Sequence, residues 1–124
     1  MLQHARLQTL IWSADVPRAK RFYEEVLRLT FTHQSHGAAV FNVGGSELRI
    51  SPVPSTRPSE HTVLGFAVDD LAATAFALVT SGVVTERFAG FAHDPDGVWT
   101  APDGTMVLWF RDPDGNLLSA VQYA

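Results

Sequence analysis

The chain carries one pattern twice, and that repeat constrains its fold more than any other feature. Residues 7–13 alternate as a strand. Asp15 then stands where a helix N-cap belongs, with Pro17 in the first turn. Val16, Ala19, Phe22, Tyr23, Val26 and Leu27 follow at helical spacing and predict one apolar face running to residue 27. Segments 29–33, 38–43 and 47–51 read as three short strands, with Gly37 and Gly44-Gly45 at the turns. The second half has the same order. Residues 62–68 form a strand and Asp70 caps a helix lined by Leu71, Ala75, Leu78 and Val79, which Gly82 closes. Segments 83–88, 105–110 and 117–122 then read as strands, with 90–104 as an added loop. Asp15 and Asp70 hold equivalent places 55 positions apart.

A βαβββ unit of this size leaves one sheet face uncovered. Two such units allow the expected architecture: an α+β fold in which two βαβββ modules form a cupped, partly open mixed sheet with helices outside. The 124 residues form a single domain on this reading. Residues 1–51 are the first module, 52–60 a linker with prolines at 52, 54 and 58, and 61–124 the second module.

Composition removes several function classes. Lys and Arg total 9 against 13 acidic residues, with no basic stripe, so nucleic acid is not an expected partner. The absence of cysteine excludes disulfides, thiolate zinc sites and a cysteine nucleophile. No apolar run is long enough for a membrane helix, and no secretory leader is evident, so a cytoplasmic protein is expected. Three Pro-Asp-Gly triplets (95–97, 102–104 and 113–115) are explained by turn chemistry; they lack the oxygen spacing of a calcium loop. Ser119 lies mid-strand without a nucleophile elbow, which argues against a Ser/His/Asp hydrolase.

Two segments carry a family resemblance. One is Asp15-Val16-Pro17-Arg18-Ala19-Lys20-Arg21-Phe22-Tyr23-Glu24-Glu25-Val26-Leu27. The other is Trp109-Phe110-Arg111-Asp112-Pro113-Asp114-Gly115-Asn116, with Val68-Asp69-Asp70-Leu71 fitting the start of the second helix. The chain resembles the vicinal oxygen chelate superfamily, which includes glyoxalase I, extradiol dioxygenases, fosfomycin resistance enzymes and bleomycin resistance proteins. This fold hosts isomerases, oxygenases, transferases and pure binders, so the resemblance implies architecture rather than a reaction.

In metal-using members the ligands come from the first and last strands of each module. The resemblance maps those positions onto Gln8, Val63, Arg49 and Ser119, with Glu47 or Ser51 replacing Arg49 if the alignment slips. Valine ligates nothing, serine is weak, and arginine has no free lone pair. A shifted set of Gln8, His61 and Glu47 is the fallback for one divalent ion, with His61 placed on the same strand face as Val63 by period-two counting. The plainer reading makes His4 and His61 rim residues and His33, His36 and His93 surface residues.

Without a metal, the cup becomes an organic pocket, and the expected cofactor is none. Candidate ligand-binding residues are Gln8, Arg49, His61, Trp99, Trp109 and Ser119. Arg49 either clamps an anionic group or pairs with Glu47. Trp99 sits on the 90–104 loop, either as a stacking lid or folded back over the loop's base, and Phe88 and Phe91 join its wall. The leading expectation is a small-molecule binder of the glyoxalase or bleomycin-resistance kind, used for drug sequestration or resistance. The alternatives are a metal-dependent lyase, isomerase or dioxygenase with the shifted site, and a metal-free enzyme in which Arg49 steadies an enolate. Whether the chain is an enzyme at all stays open in the sequence. A homodimer is expected by resemblance, with Trp12 or Trp109 at the seam.

Overall fold

A computed structural model describes residues 1–124. The chain divides into two compact units, Met1–Arg57 and Pro58–Ala124. Each is a βαβββ module with its own four-stranded mixed sheet.

The first unit contains β1 (Gln8–Ser13), α1 (Val16–Arg21), β2 (Thr30–Ser35), β3 (Ala38–Val43) and β4 (Ser46–Pro52). Its sheet order is β1-β4-β3-β2, parallel at β1–β4 and antiparallel elsewhere. Asp15 caps α1 by accepting the Arg18 N–H at 3.2 Å. The predicted helix to residue 27 holds, with one change: Phe22–Val26 widens into a π turn, closed by the Leu27 N–H on the Phe22 carbonyl. That turn buries Tyr23 completely and sets its ring 6.1 Å from Phe41. Ile11, Phe41, Leu48 and Ile50 complete this core beneath α1. Each large side chain withdrawn from water there contributes roughly 1.5–3 kcal/mol.

The second unit contains β5 (Thr62–Ala67), α2 (Leu71–Thr80), β6 (Trp99–Thr100), β7 (Met106–Arg111) and β8 (Leu117–Gln122), in sheet order β5-β8-β7-β6. Asp70 caps α2 through the Ala73 N–H at 3.0 Å, and the Gln122 side chain accepts the Leu71 N–H at 2.8 Å. Leu71, Ala75 and Leu78 from the helix and Leu108, Phe110, Leu118 and Ala120 from the sheet are buried together.

The edge of this sheet departs from expectation. Residues 83–88 do not form a strand. Only Thr85 bridges to Phe110, and Glu86 donates its N–H to the Trp109 carbonyl at 2.8 Å. The outer side of β7 is instead shared: Thr85 and Glu86 cover its far end, and β6 covers its near end through Trp99↔Val107 and Thr100↔Met106. The segment between Glu86 and Trp99 interrupts this edge, so the β-forming Val83-Val84-Thr85 stretch has few partners. The loop expected at 90–104 accordingly contains a strand.

The turn from β7 to β8 is built on Asp112, a buried carboxylate that accepts the Asp114 and Asn116 backbone N–H groups and the Asn116 side-chain amide, at 2.8–2.9 Å. No helix is long and apolar enough to cross a membrane.

Candidate functional site

Each sheet has one face under its helix and one free of it. In the first unit, alternation puts Gln8, Leu10 and Trp12 of β1 and Glu47, Arg49 and Ser51 of β4 on the free face. Gln8 and Glu47 are register partners, and the Gln8 amide donates to the Glu47 carboxylate at 2.9 Å. Arg49 is held chiefly by neither of its expected partners. Its Nη2 donates to the Ser35 carbonyl at 3.1 Å and hydroxyl at 2.9 Å, while Nη1 stands 3.9 Å from Glu47. The guanidinium therefore ties β4 to the far edge strand β2.

An open depression of about 640 Å³ lies on this unit, lined in part by Arg6, Gln8, Thr32, His33, Asn42 and Glu47. Arg6, His33 and Asn42 were missed in the sequence. His33 is exposed, as its place near a turn predicts, and it borders the depression from β2 just past the bulge between Phe31 and His33.

In the second unit, Ser119 stands between Gly65 on β5 and Trp109 on β7. Trp109 is the hub of a ring cluster, with centroids of Phe88 at 5.3 Å, Phe91 at 5.9 Å, His93 at 6.0 Å and Trp99 at 6.2 Å. Trp99, expected on a loop, is part of a strand. It belongs to β6, paired with Val107 and bridged to His93. The outer ring of the cluster is Phe91, 4.9 Å from Trp99.

The excursion carrying these rings is tied to itself. Arg87 donates to the carbonyls of Asp94 and Pro95 at 2.9 and 2.7 Å. The His93 ring accepts the Phe88 N–H on Nε2 at 3.0 Å, which assigns its proton to Nδ1, 2.7 Å from the Gly97 carbonyl. Asp94 accepts the N–H groups of Asp96 and Val98. His93 is thus a structural ring rather than a surface one. One acid in the adjoining hairpin titrates low: the Thr105 backbone N–H, then its hydroxyl, hold Asp103 below the usual carboxylate range.

His61 lies in an exposed bend before β5, and a bulge falls between Thr62 and Leu64. Period-two counting from Val63 therefore fails to carry a face assignment to His61. Of the shifted set, Gln8 and Glu47 meet in the first unit, and His61 belongs to the second.

The four ligand positions implied by resemblance do not fit a divalent cation. Gln8 offers one carbonyl oxygen, already turned by its bond to Glu47; Val63 offers nothing; Arg49 is cationic and bound to Ser35; Ser119 is a neutral hydroxyl. No three His, Cys, Asp or Glu side chains gather into a set able to hold an ion.

A family model described as the Glyoxalase/Bleomycin resistance protein/Dioxygenase superfamily matches residues 3–119. Among solved structures, the chain is similar to lactoylglutathione lyase from Agrobacterium tumefaciens, with 19% identity, a TM-score of 0.73, and coverage of 95% of this chain and 92% of that one. It is similar to the fosfomycin resistance protein FosX from Listeria monocytogenes, with 12% identity, a TM-score of 0.74, and coverage of 95% and 92%. A glyoxalase family protein from Enterococcus faecalis gives 22% identity, a TM-score of 0.72, and coverage of 98% and 99%. At these identities the likeness is one of fold. No curated protein matches the chain.

Proposed function

Because the chain belongs to the glyoxalase/bleomycin resistance protein/dioxygenase superfamily, we propose that it binds a small organic molecule on the helix-free side of its sheets without a metal ion, as a sequestering protein does. The observation that carries this reading is the cluster of rings around Trp109 beside the Ser119 hydroxyl. Ligand pockets combine apolar and aromatic walls with a few polar groups, and this surface has that make-up. The residues at positions 49, 63 and 119 point the same way, since none supplies the imidazole or carboxylate that a catalytic ion needs.

The test has two arms. Protein purified without a nickel-binding tag is assayed for metal, and its unfolding midpoint is followed with and without a chelator. Sub-stoichiometric metal and an unmoved midpoint are expected, because loss of a tight ion at saturation would remove roughly 3–4 kcal/mol of stability. A thermal-shift screen of uncharged and charged organic compounds then seeks a stabilising ligand. Near-stoichiometric metal that disappears in His61→Ala would overturn the metal-free reading and favour the set Gln8, Glu47 and His61. Turnover of a carbonyl compound that is lost in Arg49→Ala would favour an enzyme over a binder.

The same reading includes a homodimer. β1 is an edge strand, and its Leu10 and Trp12 are 55% and 64% exposed. An apolar edge strand of that kind is an unstable surface for an isolated chain and a ready one for a second copy.

A further inference from the structure

We propose that the second unit selects a neutral, planar aromatic ring bearing one hydrogen-bonding substituent, and that Gly65 is the residue that sets this preference. The inference rests on the ligand-binding reading above and goes further in naming the ligand's chemistry.

Two cross-strand rows define the surface. One runs Gly65–Ser119–Trp109, and the next runs Ala67–Val121–Val107–Trp99. All seven positions face away from α2, because their neighbours Leu108, Phe110, Leu118 and Ala120 are buried beneath it. Size rises steeply along both rows. Gly65, Ala67 and Ser119, with Val121 beside them, make a low floor over β5 and β8; the two indoles, with Phe91 against both of them, make a wall over β7 and β6. A flat ring resting on that floor meets the wall edge-on, a geometry that aromatic pairs favour. A puckered, saturated ring of equal size stands too high on the floor to keep the same contact.

Charge narrows the ligand further. Neither row contains a charged side chain. The charges adjoining them, Arg111 and Glu86, neutralise each other at 2.8 Å, and two more donor contacts of Arg111 go to the Ser59 and Gly115 carbonyls. An ionic ligand would lose hydration here without gaining a partner. The Ser119 hydroxyl is the one side-chain polar group of the two rows besides the indole N–H groups, and no hydrogen bond within the protein engages it. It meets a single substituent on the ring.

The wall is built before any ligand arrives. Arg87, His93 and Asp94 hold the excursion through hydrogen bonds to its own backbone, so no ordering cost is deferred to binding.

Gly65 is singled out by what its missing side chain leaves open. Its φ is not in the left-handed region, so no backbone strain requires glycine there. A β-carbon at this position would meet only the Ser119 hydroxyl oxygen, at 3.1 Å, and a rotation of that hydroxyl relieves the contact. Glycine in a strand interior weakens the strand, and close approach of a ligand is one of the standing reasons for it.

The probes are 2-naphthol and its saturated counterpart decahydro-2-naphthol, titrated into the intact chain while the indole N–H resonances of Trp12, Trp99 and Trp109 are followed by NMR. The expected result is that 2-naphthol shifts Trp99 and Trp109, leaves Trp12 in place, and binds at least about tenfold more tightly than the saturated alcohol. Gly65→Val should weaken 2-naphthol by about tenfold or more with little change in the unfolding midpoint. Gly65→Ala gives a smaller loss in the same direction and serves if the valine variant does not fold. Ser119→Ala should erase the preference for 2-naphthol over naphthalene. Equal affinity for the two alcohols, shifts confined to Trp12, or full affinity in both Gly65 variants would overturn the proposal. Failure of 2-naphthol to bind, beside a thermal-shift hit of other chemistry, overturns it while the broader binding reading stands; failure of every compound overturns both.

Discussion

Gly97 lies so close to Thr85 that a β-carbon on the glycine would sit 2.7 Å from the threonine's own β-carbon. Thr85 is the residue that bridges to Phe110, and Gly97 is two positions before the first Thr100-side pairing residue, Trp99. The contact clamps together the two pieces that share the outer side of β7. Gly97→Ala adds that overlap to a backbone at φ +99°, a conformation that L side chains rarely adopt and in which they are strained. A loss of about 2 kcal/mol or more is expected, read by denaturant unfolding, with raised amide exchange across residues 87–98. A variant as stable and as protected as the parent would refute the clamp.

Asp112 offers a second test. The residue is 6% exposed, and its carboxylate satisfies three donors of the β7–β8 turn. Asp112→Ala strands those donors, and a loss of about 2–4 kcal/mol is expected in thermal or urea unfolding. Asp112→Asn keeps an acceptor oxygen and should cost less.

Trp12 tests the pairing of chains. Trp12→Glu places a charge at a position on β1 that is 64% exposed. Sedimentation velocity should show the parent as a dimer and the variant shifted toward monomer at the same concentration, with unchanged far-UV dichroism. A parent that sediments as a monomer would remove the homodimer proposal.

Acid should loosen the hairpin between β6 and β7. The Thr105 contacts lower the Asp103 pKa, so the folded state favours the ionised form. The stabilisation is complete above the unfolded carboxylate's pKa and disappears as pH falls through the lowered folded value. Amide exchange at Thr105, corrected for intrinsic rates, should rise between about pH 4 and pH 2, and Asp103→Asn should flatten that rise. An identical profile in the variant would show that Asp103 has no part in it.

Most of the architecture was legible because it is written in short-range chemistry. Asp15 and Asp70 cap helices where their positions predict, and the turn at Asp112 to Asn116 folds as its Pro and Gly require. The edge of the second sheet was not legible. Val83, Val84 and Thr85 have β-forming side chains, but a strand needs partners, and the sequence does not reveal that Trp99 and Thr100 compete for the same side of β7.

The site was legible in part. Trp109, Trp99 and Ser119 do come together on one sheet face, whereas Gly65 carries no chemistry that a motif search would notice. Arg49 was singled out for its charge, and only the fold reveals that Ser35 engages it. His33 and His61 are both exposed, as the surface and rim readings expected; what the letters do not show is the bulge between Thr62 and Leu64, which breaks the period-two count from Val63 to His61.

The divided border of β7 has an evolutionary corollary. With Thr85 and Glu86 fastened at one end and Trp99 and Thr100 at the other, the number of residues between them is invisible to the rest of the sheet. Descendants of this gene can lengthen, shorten or recode much of that span without renegotiating how the other strands of this sheet align. Molecular recognition can drift here while the scaffold stands still.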